Sequence, residues 1–231
     1  MDKHGSKEHL KDKLISLMED LICNKCPKFD DCVRDIQNTL KYKLNIQRDF
    51  WPRGVFLCPD SKDIKLVVIA NNPGPYNEKL DKDLYDPDWD REKCKSNLRG
   101  FLGDMCTKWV KLCECWERNG FTGFHKNLCK LFKKFNVSIQ EVYLTEMVKC
   151  GGFDGTNVPD DILARCKEEW LKKELEILTS DNKKRKILIL GQDTCMGVLD
   201  LICNLNAEVY VTLQHPSVRG YFDPDLVCRI K

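Results

Sequence analysis

The stretch Lys65-Leu66-Val67-Val68-Ile69-Ala70-Asn71-Asn72-Pro73-Gly74 is a short apolar run that stops abruptly at a turn. Its β-branched residues and its Asn-Pro-Gly stop read as a buried strand ended by a tight change of direction. Similar runs recur outward from it at 141–148, 186–190 and 208–213. Between and before them lie helical patterns. Leu10, Leu14, Leu17 and Leu21 repeat at helical spacing over residues 7–22. Asn157 is placed to cap a helix whose first turn holds Pro159, Asp160 and Asp161. That helix continues through Ile162, Cys166 and Trp170, and a shorter one covers 195–204. Strands alternating with helices predict an α/β fold: a three-layer α/β/α sandwich around a short, mainly parallel four-stranded sheet.

In such sheets ligands bind beyond the carboxyl ends of the strands. Three unusual segments fall at such ends: Asn71-Asn72-Pro73-Gly74, Glu146-Met147-Val148-Lys149-Cys150 and Gln214-His215-Pro216-Ser217. They are far apart in the chain, yet the topology sends them toward one crevice.

The bulk numbers bound the rest. The chain has 231 residues, 42% hydrophobic and 32% charged, which suits one globular domain over 1–231 with ample core. No run of 18 apolar residues exists, so an ordinary helical membrane span is excluded. The charged start, Met1 to Lys13, leads into no apolar signal stretch, and a cytoplasmic protein is expected. The formal charge of +2 supplies no global basic field. Lys126, Lys130, Lys133 and Lys134, and again Lys183 to Lys186, form local basic clusters that read first as solvated surface. Nucleic-acid binding would need a local groove rather than the whole surface.

Fourteen cysteines in a chain of this size read as metal or cluster ligands plus small core residues. Cys23-Asn24-Lys25-Cys26 alone suits zinc, a redox pair or no role. Cys150 ends the second strand segment, and Cys166 stands on the capped helix. Four thiolates would hold a cubane cluster or a structural zinc. Cys106, Cys113 and Cys203 read as core or surface thiols.

At this point the sequence resembles the iron–sulfur branch of the uracil-DNA glycosylase superfamily, over about residues 10–220. That branch has an N-terminal C-x-x-C, a strand motif of the type T-N-V-V-K-C and a fourth cysteine on the next helix. Thr145-Glu146-Met147-Val148-Lys149-Cys150 matches the strand motif at four of six positions. The resemblance implies a [4Fe–4S] cluster on Cys23, Cys26, Cys150 and Cys166 with a structural role. The rival is zinc on Cys23, Cys26, Cys32 and one further ligand.

The same resemblance implies a monomeric DNA glycosylase that flips out uracil or a related damaged base from single- or double-stranded DNA and hydrolyses its N-glycosidic bond. Ala70-Asn71-Asn72-Pro73-Gly74 occupies the place of the superfamily's first motif, with Asn72 matching a catalytic asparagine. Asn71 stands where iron–sulfur members usually carry glutamate. An amide cannot act as a general base near neutral pH but can orient a water, so slow, water-positioning catalysis is expected. His215-Pro216-Ser217 matches the second motif, with a neutral histidine donating to the base O2. Phe101, in Gly100-Phe101-Leu102-Gly103, is the candidate for stacking on the extruded base. Ser217, Arg219 and Tyr221 are the DNA-contacting candidates, where relatives insert a wedge into the duplex. Gly191-Gln192-Asp193 looks like part of the first motif but follows the third strand and is set aside as coincidence.

One departure carries weight. Where uracil-removing members commonly keep an asparagine, this chain has Glu146. An ionised carboxylate offers acceptors only and repels uracil O4, whereas a protonated one reproduces the amide's donor and acceptor. Burial would favour the protonated form. The expectations are therefore uracil removal favoured at acidic pH, or a base with a different edge. The competing readings are a catalytically inactive glycosylase-fold module that binds DNA or a base, and an unrelated zinc or redox protein.

Overall fold

The computed structural model describes residues 10–22, 26, 28, 30–32, 34, 55–60, 63–71, 97–115, 123–149, 158–217 and 221–231. In chain order its main elements are α1 (Leu10–Ile22), β1 (Val55–Leu57), β2 (Leu66–Ala70), α2 (Leu98–Cys115) and α3 (Gly123–Lys134). There follow β3 (Val142–Glu146), α4 (Asp160–Cys166), a π-helical turn (Lys167–Leu171) and α5 (Lys172–Thr179). The chain then closes with β4 (Arg185–Leu190), α6 (Gln192–Ile202), β5 (Ala207–Thr212) and β6 (Val227–Arg229).

The α/β class holds, but the sheet is larger and less uniform than expected. Six strands run in the order β1-β3-β2-β4-β5-β6. The four central ones are parallel and fall on the four predicted runs; β1 and β6 pair antiparallel at the two edges. Each edge strand is three residues long, too short for an alternating pattern to register in sequence. Short edges also limit the row of unpaired backbone groups open to another chain.

Every residue of β2 is buried, because helices cover both faces of the sheet. On one face Val67, Ile69, Tyr143, Ile187, Ile189, Val209 and Val211 pack with residues of α1, α5 and α6. On the other, Leu66, Val68, Val142, Leu188 and Leu190 pack with Met105 and Trp109 of α2 and Leu128, Leu131 and Phe132 of α3. Adjacent strand residues go to opposite faces, as period-two geometry requires.

Local chemistry fixes the ends. Asn97 caps α2: its Oδ1 accepts from the Gly100 amide at 2.9 Å. The chain stops between α3 and β3 at Asn136, φ +53°, followed by a Ser138/Glu141 capping box over Ile139–Glu141. Asn157 lies outside the described residues; the cap position of α4 is Pro159, with Asp160 and Asp161 in the first turn as read. The helical pattern read through Trp170 is real but carries the π-helical turn directly after Cys166. The Lys183–Lys186 cluster is not a uniform solvated run. Arg185 is buried, donates to the Ile64 carbonyl oxygen and pairs with Asp181, and Lys183 and Lys184 pair with Asp63 and Glu208.

Cys106 corrects another expectation. It is neither a core nor a surface thiol but half of a disulfide with Cys58, joining α2 to the loop after β1. Lys11 of α1 is buried against the same loop and donates to the Cys58 carbonyl oxygen at 2.8 Å. Burial pushes its amine down to about 8, against the pull of Asp60 and Asp63.

Candidate functional site

The parallel register brings the predicted segments to one end of the sheet. Ala70 pairs with Glu146, and the chain beyond is stitched on by the Met147 amide to the Ala70 carbonyl oxygen and the Val148 amide to that of Asn71. Asn71 and Glu146 are therefore neighbours at the carboxyl ends of β2 and β3. His215 follows β5, two strands from β2 and three from β3. At about 4.8 Å per strand these separations are about 10 and 14 Å between strand axes, which one crevice can span. Asn72 lies outside the described residues, as do Arg219, Cys23 and Cys150.

Glu146 is the last residue of β3, and Thr145 before it bonds Glu174 on α5. Alternation sends Glu146 to the opposite face, that of α2 and α3. It is 7% exposed, a carboxyl group largely out of water. Phe101 lies in the first turn of α2 rather than in a loop, half-buried, and touches both core clusters.

His215 is positioned by its own turn and by α3. The Ser217 amide donates to Nδ1 at 3.2 Å, and Ser217 Oγ lies 2.6 Å from the same nitrogen. Nδ1 is thus an acceptor, and the neutral ring carries its proton on Nε2. Burial lowers the His215 pKa, which favours that neutral form. Asn127 of α3 is buried and donates to the Pro216 carbonyl oxygen at 2.8 Å, fixing the turn.

Three participants escaped the sequence reading. Phe124 stacks on His215 with ring centroids 6.0 Å apart, and His125 meets Phe124 at 5.4 Å and Trp109 at 4.9 Å, both edge-on. His125 is held neutral by burial, which lowers its pKa to about 4. Gly191, set aside as coincidence, ends β4 at φ +90°. A Cβ there would make ordinary contact with His215 Cδ2 at 3.6 Å, so it is the backbone conformation that calls for glycine at this neighbour of the histidine. A glycine ending a buried strand was the one available signal; the aromatic residues of α3 gave none. Ser217 is exposed, and Tyr221 is 80% exposed on the loop that returns to β6.

A second constellation lies on the other face, beside the same strand end. Cys26 and Cys166 are both buried and close enough for the charge of one to act on the other. The Trp170 indole N–H donates to Cys26 Sγ at 3.4 Å, and the Lys149 amide donates to Cys166. Burial raises the Cys166 thiol, while the Lys149 contacts and Arg165 oppose it. Arg165 also reaches Cys32 Sγ at 3.8 Å. Cys150 follows Lys149 directly in the chain. No group of three or more potential metal ligands assembles among the described residues.

Beneath both constellations is a buried polar knot. The Lys149 ammonium, fully buried, donates to Glu174 Oε2 at 2.8 Å, to the Glu146 carbonyl oxygen at 2.6 Å and to Thr145 Oγ1. Thr145 donates to Glu174 in turn at 2.7 Å. Comparison of the chain with family models, curated proteins and solved structures found no match.

Proposed function

We propose that the chain is a DNA glycosylase of the uracil-DNA glycosylase type, acting on a flipped-out base in the crevice between Glu146, Asn71 and His215. The supporting observation is the convergence of these segments on one sheet end, with His215 tuned as a neutral Nε2 donor. Hydrolysis needs the leaving base anion stabilised, and a preorganised neutral donor does this; removing one costs about a hundredfold in rate. Phe101 and the Phe124 and His125 rings supply apolar walls against which an extruded base can stack. Asn71 and Asn72 hold and orient the attacking water. Ser217, Arg219 and Tyr221 are the candidates for contacting the DNA, and the exposed Tyr221 ring suits a wedge.

A [4Fe–4S] cluster held by Cys23, Cys26, Cys150 and Cys166 fits the two buried thiols and the N–H donors around them. It would pin the segment after α1 to the loop after β3. Cluster content is tested by absorption near 400 nm with iron and sulfide analysis.

The binding-module reading is favoured by a specific feature, an amide at Asn71 in place of the motif glutamate. The deciding experiment incubates duplex and single-stranded oligonucleotides carrying uracil, hypoxanthine or xanthine with the protein from pH 5 to 8, followed by alkaline cleavage. Abasic sites are expected, with uracil release rising toward acid as Glu146 takes up a proton. Glu146→Asn is expected to raise uracil release at neutral pH. Tight retention of the oligonucleotides without abasic sites would leave the binding module standing and the enzyme refuted.

A further inference from the structure

The sheet end opposite the crevice carries its own chemistry. Cys113 on α2 and Cys129 on α3 place their sulfurs 2.6 Å apart, about half an ångström beyond a disulfide bond. The pair lines a cleft of about 570 Å³ with Val110, Phe132, Asn136 and Val137, within the range of small-molecule sites. We propose that Cys113 and Cys129 form a thiol–disulfide exchange site for low-molecular-weight disulfides, independent of the base-binding crevice.

The two sulfurs have unequal surroundings, which assigns their roles. Both thiols line the cleft, but Cys113 is half-buried whereas Cys129 is only 6% exposed. Cys113 is therefore the attacking thiolate and Cys129 the resolving thiol.

Cys113 gives its proton to solvent and its sulfur attacks one sulfur of the small disulfide. A mixed disulfide forms, and the first small thiolate leaves and takes up a proton. Cys129 then loses its proton and attacks Cys113 Sγ, and the second small thiolate leaves. Two protein thiols have been oxidised to one disulfide, and one small disulfide reduced to two thiols. The product bond would join α2 to α3. Cys106, seven residues before Cys113 on α2, already ties that helix to Cys58.

The test treats the full-length protein anaerobically with glutathione disulfide, then measures intact mass and maps non-reduced peptides over time. Wild-type protein is expected to lose two thiols, retain no adduct and yield a Cys113–Cys129 cross-linked peptide. Cys129→Ser is expected to hold one glutathionyl group on Cys113, formed several-fold faster than adducts on exposed Cys203 and Cys228. The wild-type arm stands alone should a variant fail to fold. Adducts confined to Cys203 and Cys228, or one tightly held zinc protecting the pair, would overturn the proposal.

Discussion

Replacing Lys149 with methionine probes the polar knot beneath both candidate centres. Methionine keeps the unbranched shape but removes the ammonium, so Glu174, 2% exposed, would lose its ion pair and keep only neutral hydroxyl neighbours, Thr145 and Tyr143. Breaking one side of a buried pair costs about 3–5 kcal/mol, a large part of a typical total of about 5–15 kcal/mol. Lys149→Met/Glu174→Leu also removes the orphaned carboxylate. The Glu146 carbonyl oxygen loses its donor in both variants. The added cost is the loss of Glu174 by the Thr145 and Tyr143 hydroxyls, about 1–3 kcal/mol for a neutral group left short. The double variant is therefore expected to be more stable than the single one, the coupling a double-mutant cycle isolates. Urea unfolding followed by circular dichroism measures both. A single variant within 1 kcal/mol of wild type, or a double variant less stable than the single, would refute the reasoning.

Three further outcomes follow from local chemistry. His125, held at about 4 against 6.5 when free, adds stability that is full above pH 6.5 and lost as pH falls toward 4. The loss is about 3 kcal/mol by the usual 1.36 kcal/mol per unit, and His125→Phe is expected to flatten that part of a denaturation series run from pH 7 to 4. Asn97→Ala removes the cap of α2 and is expected to cost about 1 kcal/mol. Gly100→Ala should cost a similar amount, because its Cβ would fall 2.3 Å from Asn97 Nδ2; a difference from wild type below measurement error in urea melts would argue against the cap.

Legibility in sequence followed the physics of each element. The four central strands were readable because burial on both faces leaves uninterrupted apolar runs such as Leu66–Ala70. The edge strands were not, since three residues carry no period. Asn71, Glu146 and His215 could be assigned to one end because each lies at or beyond the carboxyl end of a strand in a parallel sheet. Phe124 and His125 could not: their role depends on how α3 packs against the His215 turn through Asn127, a contact 89 residues apart. The Cys58–Cys106 bond was equally invisible, joining residues 48 positions apart with no motif around them.

That bond bears on the chemistry of the whole chain. Disulfides are rare where thiols are kept reduced, and cluster thiolates are lost where they are oxidised, so a chain that bound the proposed cluster beside this disulfide would need the two kept apart. The sheet provides that separation. Cys26 packs within the core cluster of α1 and α5, while Cys58 and Cys106 lie in the cluster of α2 and α3, with Cys113 packed against it. Sheet and helix layers stand between the two sets, and Trp170 closes over Cys26 on its own side. An oxidant entering the cleft beside Cys113 therefore meets a dithiol pair before it can reach Cys26 from that side. On this reasoning, with the proposed cluster bound, Cys113→Ser/Cys129→Ser protein should lose the cluster's absorption near 400 nm faster than wild type when titrated with glutathione disulfide. Equal rates would mean that the two sulfur sites do not protect one another.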